Sequence, residues 1–230
     1  MARRKCATVP RFAVGLAQMA KRKKTKTRRT DKRANGGRRR RTAEIIDAAA
    51  QIFARRGFHG ASTQDIADVL GVRQASLYYY FPSKEVALEM VCARGVEGFV
   101  ENAIRVTEGQ GSAQQKLVGL IEAHLTPILE RNEYVKVFLN ERRYLPTESR
   151  RRIGRHSRAV EKIFEDVLRA GIEKGEFRAE VDPRITALAI LGMANAAALW
   201  YDKEPGASVE RIGKNFAAMV MTGIRKPGAR

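Results

Sequence analysis

The stretch that decides the fold is residues 63–85, which read TQDIADVLGVRQASLYYYFPSKE. Its first part places apolar residues at helical spacing and ends at Gly71, a residue type that commonly follows a helix. A few residues later Leu77 and Phe81 lie four apart, which predicts the buried face of a second short helix that Pro82 ends. Two short helices joined by a tight glycine turn are typical of a helix-turn-helix.

The second of these helices carries the side chains that we expect to face DNA. Arginine and glutamine read base edges through paired hydrogen bonds, serine suits base or phosphate, and tyrosine hydroxyls suit phosphate oxygens. The alternative is that the three tyrosines pack inside a helical bundle. It is disfavoured because they cannot all face inward beside Leu77 and Phe81 on one short helix. The candidate DNA-facing side chains are Arg73, Gln74, Ser76, Tyr78, Tyr79 and Tyr80.

Residues 41–90 resemble the amino-terminal domain of the TetR family of transcriptional regulators. The resemblance is carried by TAEIIDAA (42–49), FARRGF (53–58), TQDIA (63–67), GV (71–72), SLYYYF (76–81) and SKE (83–85). It implies that the cap before the second helix, the recognition helix and the lysine after it touch DNA. By position these residues are Thr63, Arg73, Gln74, Ser76, Tyr78, Tyr79, Tyr80 and Lys84. Many members have a histidine where this chain has Tyr80, so a contact there depends on the tyrosine hydroxyl.

The positive charge of the chain is concentrated at its amino terminus. The formal net charge is +19, yet residues 1–41 contain 17 Lys or Arg and a single acid, Asp31, so the remainder is nearly balanced. Residues 1–40 lack an apolar period, and we expect them to form a disordered basic arm. Such an arm either follows phosphates and the minor groove or is only a solvated tail. Met19 is an alternative start of the protein.

Helical periodicity continues from Thr42 to the end of the chain, without a convincing strand or an internal repeat. We therefore expect an all-α protein of about nine helices. The three predicted parts are the arm at 1–40, a helix-turn-helix domain of three helices at 41–88, and a helical ligand-binding and dimerisation domain at 89–226.

The carboxy-terminal part contains a second resemblance. GIEKGEFR (171–178), Asp182-Pro183 and Trp200-Tyr201 are similar to regulators of acyl-CoA and steroid-ring catabolism. This resemblance implies a small-molecule effector, with an acyl-CoA thioester as the candidate. The resemblance to the TetR family also favours a repressor over an activator.

The last two helices are predicted to form a dimer interface. Small residues at 192–198 permit close helix approach, and five larger side chains supply apolar area: Leu188, Leu191, Leu199, Phe216 and Val220. Ordinary packing within one chain is the alternative. The TetR resemblance implies a four-helix bundle across a two-fold axis, which would present two recognition helices to the half-sites of a palindromic operator, about 34–36 Å apart.

Candidate effector-binding residues are polar groups beside apolar helices. Arginines would suit the phosphates of a CoA-type ligand, and the run at 150–152 offers three. Solvated faces and ordinary packing are the alternatives for all of these side chains. The candidates are His124, Glu141, Arg142, Tyr144, Asn195 and Trp200.

Other function classes are disfavoured by the residues present. Cys6 and Cys92 suit neither a metal site nor a disulfide framework, and Cys92 is expected to be a small buried residue. The three histidines are scattered, and no glycine-rich phosphate loop or nucleophile elbow occurs, so we expect no enzyme, cofactor or metal. Without an apolar run of about 18 residues, we expect a cytoplasmic protein with no membrane partner. The remaining alternative is a constitutive or non-specific architectural DNA-binding protein without an effector.

Overall fold

The computed structural model describes the backbone of residues 30–226 and the side chains of residues 37–226. The described backbone contains ten α-helices, two short 3-10 turns and no β-strand, which confirms the predicted all-α fold and adds one helix to the expected number. The helices are α1 Thr30–Gly60, α2 Thr63–Leu70, α3 Gln74–Leu77, α4 Lys84–Gly95, α5 Phe99–Glu108, α6 Ala113–Glu130, α7 Asn132–Glu141, α8 Thr147–Glu173, α9 Pro183–Trp200 and α10 Val209–Ile224. The 3-10 turns are Arg142–Tyr144 and Tyr201–Lys203.

Helix α1 begins at Thr30, before the start near Thr42 that the periodicity predicts. Arginine and alanine favour helix even where no apolar face exists, so the pattern of apolar residues did not reveal this segment. Residues 30–40, which lie in the predicted arm, are helical in the described backbone, and residues 1–29 lie outside the described part of the chain. Near its other end α1 is interrupted at Gly57, where a φ of 67° favours glycine.

Side-chain caps fix where the later helices begin. Ser62 caps α2: its hydroxyl accepts a hydrogen bond from the Asp65 amide, and the Asp65 carboxylate accepts one from the Ser62 amide. The Ser62 hydroxyl and the Ser62 amide both donate to the Asp65 carboxylate, and these two hydrogen bonds lower the pKa of that carboxyl. The Ser83 hydroxyl caps α4 by accepting a hydrogen bond from the Val86 amide. Asp182 caps α9, with Pro183 at a position where its missing amide hydrogen costs little.

Two clusters of buried apolar side chains hold the chain together from Arg41 onward. The first joins α1, α2, α3 and α4, and it also takes in Phe138 of α7 and Ile153 of α8. The second is formed by α5, α6, α8, α9 and α10. The predicted domain boundary at 88–89 falls inside α4, which runs continuously through it. Because Phe138 of α7 and Ile153 of α8 belong to the first cluster, these two helices also form part of the core beneath the helix-turn-helix.

Two expectations drawn from composition meet different outcomes. Cys92 is buried as predicted, and burial raises the pKa of its thiol to about 12; Cys6 lies outside the described residues. No membrane-spanning stretch was expected, yet residues 183–203 are long and apolar enough by length and composition to cross a membrane. The core helix of a globular protein meets the same criterion. Helix α9 fits that explanation only on one side: Ala187, Ile190 and Ala194 are buried in the second cluster, while 33% of the stretch is buried in all.

Candidate DNA interface and effector cavity

Helices α2 and α3 form a helix-turn-helix held by its own backbone. Gly71 adopts a left-handed conformation with φ 62°, and its amide donates to the carbonyls of Ala67 and Asp68. Leu77 and Phe81 are both buried, as predicted. The α-helical part of the recognition segment is shorter than predicted and ends at Leu77, but the amides of Tyr80 and Phe81 still donate to the Leu77 carbonyl. The segment is therefore fixed to the core by two side chains.

The polar face of the recognition segment points away from this core. Tyr78 and Tyr79 are 51% and 67% exposed, and Arg73 and Ser76 are exposed as well. Tyr80 is half-buried and meets the Tyr79 ring edge to face at 5.2 Å. Such exposure of large aromatic rings speaks against the alternative in which all three tyrosines pack inside the bundle.

Gln74 and Thr63 are joined to each other. The Gln74 side-chain amide donates to the Thr63 hydroxyl at 2.6 Å, linking the start of α3 to the start of α2. A bidentate contact between Gln74 and a base would use both the amide oxygen and nitrogen. The bond to Thr63 uses one of the two hydrogens on this nitrogen, so a base contact would use the other.

Lys84 joins the start of α4 to the end of α1 and to the short segment before α2. Its ammonium group donates to the carbonyl oxygens of Phe58 and Ala61, at 2.8 and 2.9 Å, and lies 4.5 Å from the centre of the Phe58 ring. An ammonium group has three hydrogens to donate. The lysine thus has a structural role that the sequence did not reveal, and one hydrogen remains for a phosphate.

A cavity of about 220 Å³ lies among α4 to α9. Most of its wall is apolar, and the side chains that define its width include Phe99, Val135, Val160, Leu188 and Leu191. Three of the six predicted effector-binding residues line it, namely His124, Arg142 and Asn195. Pockets that bind small molecules commonly combine such an apolar wall with a few polar groups.

A second cavity of about 310 Å³, the arginine-lined cavity, adjoins the first and has three arginines and one glutamate among its lining residues. The two share Phe138, Arg142, Ser157 and Glu161, and the second adds the exposed arginines Arg150 and Arg158. The Glu161 carboxylate accepts a hydrogen bond from Arg184 at 2.7 Å, so its charge is already paired. The shared residues therefore lie between the first cavity, whose wall is mostly apolar, and the second, whose charged side chains are mostly arginines.

The comparisons with known proteins agree with this architecture. The model of the bacterial regulatory proteins of the tetR family matches residues 45–89, and that of the tetracyclin repressor-like carboxy-terminal domain matches residues 110–224. This chain belongs to the TetR family.

Several relatives span nearly the whole protein. The transcriptional repressor KstR2 of Mycobacterium tuberculosis is 27% identical over 189 residues, which cover 82% of this chain and 94% of the relative. Its solved structure superimposes with a TM-score of 0.74, covering 81% of this chain and 95% of the other. The fatty acid metabolism regulator protein of Bacillus subtilis is 24% identical and covers 79% of this chain and 94% of its own. AibR, solved with isovaleryl coenzyme A and operator DNA, shares the fold with a TM-score of 0.69, at 24% identity and with coverage of 78% and 97%.

Two of the predicted effector residues of this TetR protein instead contact the helix-turn-helix part. The Glu141 carboxylate accepts a hydrogen bond from the Phe58 amide at 2.8 Å, immediately after the interruption of α1 at Gly57. The Tyr144 ring stacks on the Phe58 ring with 5.5 Å between centres. Glu141, the last residue of α7, and Tyr144 therefore both contact the last turn of α1. Both lie within two residues of Arg142, which lines the cavity.

The sixth candidate, Trp200, packs edge to face against Phe216 of α10 at 6.4 Å and lines neither cavity. A further link, which the sequence does not indicate, joins α4 to the start of α8. The Glu89 carboxylate of α4 accepts a hydrogen bond from the Ser149 hydroxyl at 2.5 Å and forms an ion pair with Arg152, both at the start of α8.

Sequence reasoning also missed much of the cavity wall, including Phe99, Phe138, Ser157 and Glu161. Ser157 and Glu161 lie four residues apart and flank Val160 of the apolar stripe of α8. Polar residues border the apolar stripe of any amphipathic helix, so the sequence contains no signal that distinguishes these two as part of a cavity wall.

Proposed function

We propose that this protein is a dimeric, sequence-specific operator-binding repressor that an acyl-CoA thioester releases from DNA. The observation that carries the proposal is the shared wall of the two cavities, where Arg142 lies beside Glu141 and Glu141 holds the helix-turn-helix part. One residue pair thus connects a ligand space to the DNA-binding segment. The repressor name of KstR2 and the acyl-CoA in the AibR structure support the same function.

The two cavities fit the two halves of such an effector. An acyl group would occupy the apolar cavity, where burial of its carbon surface stabilises the complex by about 25 cal/mol per Å². The phosphates of the CoA part would lie in the arginine-lined cavity, where each guanidinium group can form two parallel hydrogen bonds to phosphate oxygens. The three arginines that would serve are Arg142, Arg150 and Arg158.

A second copy of the chain would bind along α9 and α10. Large apolar side chains are exposed on these helices, with Ile185 at 63%, Leu199 at 51% and Met219 at 65% exposed. Burying them against their counterparts would remove an apolar patch from water and supply most of the association energy. The small side chains of α9 permit the close approach that a four-helix interface needs.

On DNA, each recognition segment would enter one major groove of a palindrome. The residues assigned to this contact are Thr63, Arg73, Gln74, Ser76, Tyr78, Tyr79, Tyr80 and Lys84. We assign the contact to residues 41–88, the effector and dimer functions to residues 89–226, and additional phosphate contacts to the basic arm. The protein acts by binding alone in the cytoplasm, without a catalytic step.

Release would follow a shift between two arrangements of these helices. An effector that enters between α7 and α8 would move the Arg142 wall and, with it, the Glu141 and Glu89 links to α1 and α4. By linkage, an effector that weakens operator binding 100-fold must itself bind the DNA-free form 100-fold more tightly, which is about 2.7 kcal/mol.

The test begins with the operator, found by sequencing the genomic DNA that the protein binds. CoA thioesters and the matching free acids are then titrated into the operator complex. Thioesters should release the DNA, and Arg142→Ala should weaken this response about tenfold or more because it removes a phosphate contact. Arg143→Ala is the matched control, since Arg143 is the exposed neighbour that lines neither cavity. If no metabolite of any class alters operator affinity, the protein is a constitutive DNA-binding dimer.

A further inference from the structure

The apolar cavity contains one hydrogen-bonded polar pair in its wall. His124 of α6 and Asn195 of α9 meet with 3.0 Å between the imidazole Nε2 and the amide oxygen. The His124 side chain is only 8% exposed, and its ring packs on Phe99 at 4.8 Å and on Phe164 at 6.0 Å between centres. Both members of the pair line the cavity, and neither belongs to the wall shared with the arginine-lined space.

The protonation state of this pair fixes which groups remain for a ligand. Burial lowers the pKa of His124 to about 4, so the ring is neutral at neutral pH. A neutral imidazole has one donor nitrogen, and Nε2 is that donor because the amide oxygen of Asn195 can only accept. The Asn195 amide nitrogen carries two hydrogens, and within the described residues it has no hydrogen-bond acceptor from the protein.

The buried His124 imidazole needs this partner. Without Asn195 its ring nitrogen would lack a hydrogen bond, at a cost of about 1–3 kcal/mol, whereas leucine or phenylalanine at both positions would need no partner. The paired imidazole also fixes the amide, because the Asn195 oxygen is held by Nε2 and the amide nitrogen is thereby directed elsewhere. The Asn195 amide nitrogen can therefore donate a hydrogen bond to an oxygen of a bound molecule.

We infer that the effector carries an uncharged oxygen, a ketone or a hydroxyl, within its apolar part, and that Asn195 donates a hydrogen bond to it. The inference rests on the proposed function and narrows it, because unsubstituted acyl groups leave the Asn195 amide unpaired. A site built to hydrogen-bond an oxygen rejects the analogue that lacks it more strongly than an apolar wall rejects an added methylene group.

The experiment uses the full-length protein and matched pairs of CoA thioesters. One set is cyclohexanecarboxyl-CoA with its ring-oxo and ring-hydroxy derivatives, and the other is octanoyl-CoA with chain-oxo derivatives. Direct binding to the DNA-free protein is measured by calorimetry. At least one oxygenated member should bind about tenfold or more tightly than its unsubstituted parent, and comparison of the oxo and hydroxy arms identifies which oxygen is preferred.

Two variants test the residue assignment. Asn195→Leu keeps the approximate size of the side chain, removes the donor, and should abolish the preference while binding of the parent thioesters is kept or improved. Asn195→Ala repeats the test if the leucine variant does not fold. Asn215→Leu is the matched control, because Asn215 is exposed on α10 and lines neither cavity.

The outcomes separate the inference from the function on which it rests. If parent and oxygenated thioesters bind equally, or if Asn195→Leu keeps the preference, the inference is overturned and the proposed function stands. If no thioester binds, with or without the oxygen, the acyl-CoA effector class is overturned and the inference fails with it.

Discussion

Acidification should destabilise this protein through His124, and the size of the effect follows from its surroundings. The imidazole is buried against two phenylalanine rings, and its pKa is lowered from 6.5 to about 4. Because the folded-state pKa lies below the unfolded one, the unfolded chain binds the proton more tightly between these pH values. Stability is therefore complete above about pH 6.5 and falls as the pH decreases toward 4.

The expected loss can be calculated from the two pKa values. Relative to pH 7, His124 should cost about 2 kcal/mol of unfolding free energy at pH 5 and about 3 kcal/mol at pH 4. Carboxyl groups titrate in the same range, so the measurement is a difference between two proteins. His124→Gln keeps a donor for Asn195 but cannot be protonated in this range, so its stability should fall less steeply.

The assay is urea unfolding monitored by circular dichroism at pH 7, 6, 5 and 4.5, for the natural protein and the variant. The gap between the two stability curves should change by about 2 kcal/mol between pH 7 and pH 5. His156→Gln is the matched control for the substitution itself, because His156 is exposed on α8. Parallel curves for the natural protein and His124→Gln would refute the burial argument.

Three further predictions concern DNA binding, dimerisation and coupling. Tyr79→Ala should cost about 1–3 kcal/mol of operator affinity with the circular dichroism spectrum intact, since it removes an exposed recognition side chain; unchanged affinity would refute the assignment. Leu199→Arg should convert a dimer to a monomer in sedimentation, because an unpaired charge in an apolar interface costs several kcal/mol, whereas Ile104→Arg on α5 should not. Glu141→Ala should leave effector affinity within about threefold but reduce effector-driven DNA release, because the bond to the Phe58 amide is lost. Asn140→Ala is its control, and full release by Glu141→Ala would exclude this route.

The helix-turn-helix was predictable because local rules determine it. A left-handed glycine and two apolar residues four apart lie within the motif, and the structure contains both. The cap of α2 is Ser62, whereas Thr63, which the resemblance placed at the cap, is the first residue of the helix. The exposure of Tyr78 and Tyr79 follows from the same local spacing. Here the sequence pattern and the packed structure contain the same information.

The effector cavity was only partly predictable because it depends on contacts between distant helices. His124 and Asn195 are 71 positions apart in the chain, and no periodicity indicates that they form a pair. In the sequence Glu141 and Tyr144 are polar groups beside apolar helices. Their neighbour across space is Phe58, however, which lies 83 positions from Glu141, so their contact with the DNA-binding part could not be inferred.

The most direct test of the account is the selection of binding sites from random DNA by the full-length protein. The account predicts enrichment of one palindrome, with half-site centres about one helical turn apart and an affinity about a thousandfold or more above that for random DNA. Tyr79→Ala should lower the affinity for that palindrome by about 1–3 kcal/mol while salt-sensitive binding to any sequence remains. Enriched sequences without two-fold symmetry, or equal affinity for selected and random DNA, would contradict the central claim that this chain is an operator-specific regulator.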